Sequence, residues 1–122
     1  MVLCDTNILI SAFNGREDTI EKLNQIGLSE IVLSAVTVME LFQGMSNKSE
    51  LVKIKKQIRF YDVVQIDRNI SEKAIEFVEK FKLSLGLQIP DAIIGATGVV
   101  YQIPLFTYNV KDFHFLPGII FY

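Results

Sequence analysis

Four short, mostly apolar runs separated by helical patterns constrain the fold more than any other feature of this sequence. The runs occupy residues 1–3, 31–33, 63–66 and 105–107. Continuous apolar runs of this length are typical of parallel strands that are buried on both faces. Strands that alternate with helices predict a parallel sheet covered by helices on both sides. We therefore expect one α/β/α three-layer domain over residues 1–122, with a central, mainly parallel sheet of four to five strands.

The segments between the runs carry helix signals. Helices are predicted over residues 6–13, 18–26, 35–43, 47–60 and 69–85, and a further helix begins at residue 91. Asn69 and Glu72 have the spacing of a capping box, which predicts the start of one helix, and Gly86 predicts its end. Small residues after Asp91 predict a helix that packs tightly against the sheet. A short edge strand is predicted at residues 119–121.

Composition limits the class of protein. Half of the 122 residues are hydrophobic, which suffices for one core and excludes a disordered chain. No apolar run approaches the roughly 20 residues of a membrane span, and no basic stretch precedes the first run, so we expect neither a membrane segment nor a signal peptide. The single cysteine, Cys4, reads as a small buried hydrophobic residue and fits a reducing cytoplasm.

The net charge of −2 is not that of an electrostatic nucleic-acid binder. The average changes if four of the 14 acids bind metal, because the 12 basic residues then outnumber the ten remaining acids. A divalent cation would also reverse the sign of the charge at such a site. A phosphodiester substrate is therefore compatible with the composition.

Acidic and amide side chains stand at four places where a strand ends or a helix begins. Asp5 ends the first strand, Glu40 lies in the helix after the second, Asp91 opens a helix of small residues, and Asn109 and Asp112 follow the fourth strand. Open α/β sheets bind ligands beyond the carboxyl ends of their strands. Each acid also has an ordinary interpretation: Asp5 and Asp91 as helix caps, Glu40 and Asp112 as solvated side chains.

Converging carboxylates would repel one another unless a divalent cation held them. A set of oxygen ligands favours Mg²⁺ or Mn²⁺ over Zn²⁺, and the only histidine, His114, is expected to be structural or exposed. Carboxylates with Mg²⁺, and no Ser-His or Cys-His pair, suit the hydrolysis of phosphodiester bonds. The short polar residues expected to hydrogen-bond the ligands are Thr6, Asn7, Thr107 and Asn109.

Four stretches, in order, resemble the PIN-domain nucleases, and most closely the VapC-type toxins of bacterial and archaeal toxin–antitoxin pairs. The stretches are residues 3–9, residues 34–41 with Gly44 behind them, residues 91–97 and residues 105–113. Each stretch alone is a weak signal, but four in order at the family's spacing are specific. The resemblance covers the whole chain.

The resemblance implies a PIN-like fold and an endoribonuclease that depends on Mg²⁺ or Mn²⁺. It implies catalytic acids at Asp5, Glu40 and Asp91 and a fourth site between residues 107 and 112. We assign the fourth acid to Asp112, with Asp5 and Asp91 as its fellow metal ligands, and keep Asn109 as a weaker ligand or a hydrogen-bonding partner. The resemblance also implies a cognate antitoxin that covers the site, and a homodimer.

Other functions remain open at this point. A catalytically weak or inactive PIN-like module could bind RNA or protein, although such modules usually lose acids that this chain retains. A phosphatase or phospho-acceptor domain would share the strand-end aspartate but requires a lysine at a later strand end, where only Lys111 stands. The basic face of the helix at residues 47–60 could contact RNA phosphates or could simply be solvated.

Overall fold

Every strand of the central sheet runs parallel to its neighbours in the computed structural model, which describes residues 1–122. The strand order is β3-β2-β1-β4, so β1 and β2 are central. The strands are β1 (Val2–Cys4), β2 (Ile31–Ser34), β3 (Asp62–Val64) and β4 (Leu105–Phe106). The predicted parallel sheet is confirmed, and the carboxyl ends of all four strands share one edge.

Six helices connect and cover the strands. They are α1 (Thr6–Phe13), α2 (Glu17–Ile26), α3 (Ala35–Gln43), α4 (Lys48–Ile58), α5 (Arg68–Leu85) and α6 (Ile89–Tyr101). Two short 3₁₀ turns span Leu28–Glu30 and Val110–Asp112. None of the six helices has both the length and the apolar character required to cross a membrane.

The core lies in two clusters because successive residues of a strand point to opposite faces of a sheet. Leu3 and Val32 contribute to the cluster that contains residues of α5 and α6. Val2, Ile31 and Leu33 contribute to the other cluster, against which α1, α2 and the inner side of α4 pack. The helices therefore form a layer on each side of the sheet, as expected for the three-layer architecture.

Two predicted strands differ from the observed ones. Residues 119–121 form only an isolated bridge from Leu105 to Phe121, because Leu105 is the only residue of β4 whose backbone bonds to residues 120–122. The third strand begins at Asp62 and ends before Ile66. The side chain of Ile66 packs, like that of Val64, against the cluster beneath α5 and α6, although Ile66 lies outside the strand.

The predicted capping box at Asn69 is wrong. Helix α5 begins at Arg68, and its N-cap is Asp67, whose side chain accepts a 2.9 Å bond from the backbone N–H of Ile70. Asp67 is the cap because its carboxylate reaches an N–H in the first turn that would otherwise lack a partner. Glu72 instead forms an exposed ion pair with Arg68.

Helix α6 begins two residues earlier than predicted, so Asp91 lies within its first turn. The small residues allow the close packing that was expected of this helix. A Cβ atom added at Gly95 would overlap the Leu116 side chain, and one at Gly98 would lie 3.2 Å from the carbonyl oxygen of Ile103. The contact between Gly95 and Leu116 holds the segment that follows Asp112 against the helix that carries Asp91.

Candidate active site

All four predicted acids lie at the edge of the sheet where the parallel strands end. Asp5 follows β1, Glu40 lies in the helix after β2, Asp91 in the first turn of α6 and Asp112 in the turn after β4. The carboxylates are near enough to interact, since the charges of the other three all raise the pKa of Asp91. The fold thus brings together residues that are up to about a hundred positions apart in the sequence.

Asp5 is both a helix cap and a member of this acidic group. One carboxylate oxygen, Oδ1, accepts a 2.8 Å bond from the backbone N–H of Thr6 and so caps α1. The other, Oδ2, accepts a 2.8 Å bond from the hydroxyl of Thr107. That hydroxyl in turn accepts a 3.0 Å bond from the backbone N–H of Asn109. The two interpretations of Asp5 are therefore compatible, because each oxygen still has a free lone pair.

The environment of the site raises the pKa of two of its acids. Burial raises the pKa of Asp5, which is 5% exposed, and the charges of Glu40 and Asp112 raise it further, against the lowering effect of the bonds from Thr107 and Thr6. Burial, followed by the charges of Asp5, Asp112 and Glu40, raises the pKa of Asp91 to about 6. A positive ion at this place would relieve both effects.

Glu40 is oriented by a threonine from another element. The hydroxyl of Thr6 donates a 2.7 Å bond to Oε1 of Glu40, which leaves Oε2 available. The same hydroxyl lies 3.0 Å from that of Thr37, which is buried one turn before Glu40 in α3. Sequence reasoning missed Thr37, although its spacing of three from Glu40 places both residues on one face of the helix.

Asn109 and Asp112 occupy different positions around the site. Asn109 is exposed and contributes its backbone N–H to Thr107. Asp112 is half-buried, and its charge raises the pKa of both Asp5 and Asp91. The charge of Asp112 thus acts on the other acids, whereas Asn109 contributes a backbone contact to Thr107.

A cavity of about 230 Å³ lies beside Asp91 and Asp112. Lys111 and His114 also line it, and both are exposed. The ring of His114 meets the ring of Phe115 edge-on at 5.8 Å. Sequence reasoning expected His114 to be structural or exposed, and it is exposed on the cavity wall.

The donor atoms of the site suit a hard divalent cation, although they do not form a finished chelate. No three acidic side chains are placed so that they could hold one metal ion without moving. Their mutual repulsion opposes such an approach, so a cation would have to draw them together. The donors are all oxygens, and one more is available because Oδ1 of Asn7 is buried without a hydrogen-bond partner. An unsatisfied buried acceptor is costly, which marks Asn7 as a polar group still able to accept a partner.

Solved structures share this fold over nearly the whole chain. A chain of a toxin–antitoxin complex from Klebsiella pneumoniae is 30% identical, with a TM-score of 0.82, and the match covers 98% of this chain and 96% of that one. A DNA-bound VapBC structure from Salmonella typhimurium is 20% identical, with a TM-score of 0.86 and coverage of 99% and 96%. FitAcB from Neisseria gonorrhoeae is also 20% identical, with a TM-score of 0.81 and coverage of 100% and 97%. The last two likenesses concern the fold alone.

The sequence itself matches one family. The match to the PIN domain family spans residues 2–115, which includes all four acids of the site. No curated protein sequence matches the chain at a comparable level. The chain belongs to the PIN-domain family.

Proposed function

We propose that this protein is a metal-dependent endoribonuclease and the toxin of a toxin–antitoxin pair. The observation that carries the proposal is the gathering of four carboxylates at one edge of the sheet, where burial and the charges of the other three acids raise the pKa of Asp91 to about 6. Perturbed carboxylates gathered at such an edge are typical of functional sites. The toxin assignment is supported by membership of the PIN family and by the 30% identity to a chain of a toxin–antitoxin complex.

In this proposal Asp5, Asp91 and Asp112 hold Mg²⁺ or Mn²⁺, and Asn109 and Asn7 support them. The cation supplies a Lewis acid that activates water and neutralises charge on the phosphate oxygens. Thr6 and Thr107 hold the carboxylate of Asp5 in one orientation through bonds of 2.8 Å each. A ligand fixed in this way loses less freedom when it coordinates an ion.

Glu40 acts as the base in this proposal. Because Thr6 occupies Oε1, the free oxygen Oε2 orients the attacking water and takes its proton. As the water oxygen bonds to phosphorus, the P–O bond to the leaving nucleotide breaks, and the half-buried Glu40 returns the proton to the leaving oxygen through solvent.

A cognate antitoxin and a second copy of the chain are the proposed partners. The similar structures are toxin–antitoxin complexes, and this chain has apolar side chains at its surface. Ile75 and Ile89 are 66% and 65% exposed and line the same apolar groove between α5 and α6. Apolar surface of this kind is suited to protein contacts.

The proposal is tested by RNA cleavage with the purified protein. We expect cleavage of single-stranded RNA in Mg²⁺ or Mn²⁺, its loss in EDTA and its recovery when the metal is restored. In cells, the protein should arrest growth unless its antitoxin is co-expressed. The acids do not form a preassembled chelate, and this favours one alternative, an inactive module that binds RNA or protein. Calorimetry that detects no Mn²⁺ binding would support that alternative.

The hydroxyl of Thr107 is expected to tune the metal site. Thr107→Val keeps the shape of the side chain but removes the bond to Asp5. We expect Mn²⁺ affinity, measured by calorimetry, to fall about 10- to 100-fold. The control is Thr97→Val, because that buried hydroxyl bonds only to the carbonyl of Ile93 in its own helix. Equal affinities in the two variants would exclude the orienting role of Thr107.

A further inference from the structure

Helix α4 and the residue after it carry five cations that have no acidic partner within 4 Å. Glu50 is the only acid between residues 48 and 59, and its carboxylate accepts a 2.7 Å bond from the backbone N–H of Ser46. The five cations, none of which belongs to an ion pair of the structure, are Lys48, Lys53, Lys55, Lys56 and Arg59. The chain as a whole has a net charge of −2, so this local positive charge is opposite in sign to the charge of the whole chain.

Three of the four basic residues of α5 differ in this respect, and only Lys82 has no acidic partner. Arg68 pairs with Glu72, and both Lys73 and Lys80 pair with Glu76. These pairs are three or four positions apart, as expected for a solvated helix that balances its own charge. Uncompensated charge is therefore concentrated on α4, where all five cations lack an acidic partner, compared with one of four on α5.

The cations of α4 form a row beside an exposed aromatic ring. Lys48, Lys55 and Arg59 are separated by seven and four positions, so they share one face over about 16 Å of helix. The guanidinium of Arg59 lies 5.1 Å from the ring centre of Phe60, which is 57% exposed. Cations next to an exposed aromatic ring are typical of surfaces that bind single-stranded nucleic acid, because bases stack where phosphates are neutralised.

At about 100° per residue, Lys56 and Lys53 lie about 80° and 140° around α4 from Lys48, so the cations extend from this row towards a groove beside the acidic site. It has a volume of about 390 Å³ and lies between α1, α3 and α4. Lys53 is the only one of the five cations that lines it, together with Glu40, Glu50 and apolar side chains that include Ile10, Phe13 and Ile54. The volume falls within the range of sites that enclose a small organic group. A strand bound on α4 can therefore reach Glu40 without leaving the surface.

We propose that α4 and this groove bind the RNA substrate on one side of the bond that is cut, with phosphates on the cations and a base in the groove. The proposal rests on the proposed nuclease function and specifies how its substrate approaches. The exposed ring and the continuity with Glu40 favour RNA over an acidic protein segment as the occupant. An acidic protein segment would need only the cations, and neither the exposed ring nor the continuity with Glu40.

The test is a variant that removes charge from α4 and keeps the helix. Lys53→Gln/Lys55→Gln/Arg59→Gln retains good helix formers. We expect kcat/KM for single-stranded RNA at low salt to fall at least about tenfold, with the loss in KM. Each phosphate contact contributes about 0.7 to the slope of log affinity against log salt, so this slope should become shallower by about 2.

The matched control removes three charges from the opposite side of the sheet. Lys73→Gln/Lys80→Gln/Lys82→Gln changes the net charge equally, and the partly exposed ion pairs that it removes contribute little to stability. We expect its KM and salt slope to stay close to those of the wild type. If the α4 variant behaves like this control, the proposal is overturned and an acidic protein segment becomes the better occupant.

Failure of the nuclease function is distinguishable from failure of this inference. A wild-type protein that does not cleave RNA in Mg²⁺ or Mn²⁺ contradicts the proposed function. RNA binding can then still be measured by fluorescence anisotropy of a labelled single-stranded RNA. Weaker binding by the α4 variant than by the α5 control supports the RNA surface, and equal binding overturns it.

Discussion

Asp5→Asn is expected to reduce metal-dependent RNA cleavage by on the order of 10³-fold or more, which corresponds to about 4 kcal/mol of transition-state stabilisation. The substitution removes the negative charge at the centre of the acidic group but changes little else. Asparagine is as good an N-cap as aspartate, so the bond that closes α1 through the N–H of Thr6 is retained. The thermal unfolding midpoint in EDTA should therefore not fall, while cleavage and Mn²⁺ binding are lost.

This result separates the two roles of Asp5. If the residue served only as a cap, the asparagine variant would cleave RNA normally. The matched control is Asp67→Asn, because Asp67 caps α5 through the N–H of Ile70 and lies outside the acidic group. Its activity should equal that of the wild type. Wild-type cleavage by Asp5→Asn, in a preparation that loses activity in EDTA, would remove Asp5 from the catalytic group.

The positions of the acids could be predicted from sequence because each follows a strong local signal. Asp5 comes directly after a buried strand and Glu40 lies in the helix after the next one, so the parallel topology alone places both at one edge. The choice between Asn109 and Asp112 could not be made in the same way. It depends on how the turn after β4 folds back, and that is decided by packing of the following segment against Gly95 in α6.

Other features were invisible in the sequence because they depend on side-chain competition. Asp67 and Asn69 are both acceptable caps, and only the position of the first helical N–H groups decides between them. The bond from Thr6 to Glu40 joins residues 34 positions apart, so no local pattern reveals it. The basic face of α4 was predicted, but its lack of ion pairs became clear only when α5 could be compared with it.

Asp91→Asn is expected to stabilise the metal-free protein at pH 7 while it abolishes activity. Burial and three neighbouring charges raise the pKa of Asp91 to about 6, from an ordinary value of 3.8. A difference of this size corresponds to about 3 kcal/mol for a buried group. Partial exposure and the favourable place of an acid in the first turn of a helix reduce it, so we expect a gain of about 1 kcal/mol in the free energy of unfolding.

The raised pKa of Asp91 also determines how the free energy of unfolding depends on pH. Because the folded pKa is the higher one, the folded state holds the proton between about pH 4 and 6, and wild-type stability falls as the pH rises through about 6. The asparagine variant lacks this contribution, so its advantage in EDTA should be largest above pH 7 and should vanish near pH 4. Urea unfolding at several pH values measures this difference directly.

A matched acid should behave in the opposite way. Asp18 also lies in the first turn of a helix, but desolvation there is outweighed by Arg16 and the N–H of Thr19, which lower its pKa. Asp18→Asn should therefore give no gain in stability at pH 7.

With Mn²⁺ present, the wild type should become more stable than the Asp91→Asn variant, since a ligand stabilises only the protein that binds it. An Asp91→Asn variant that is less stable than the wild type in EDTA would show that Asp91 supports the fold, and its crowding would then be no sign of a metal site.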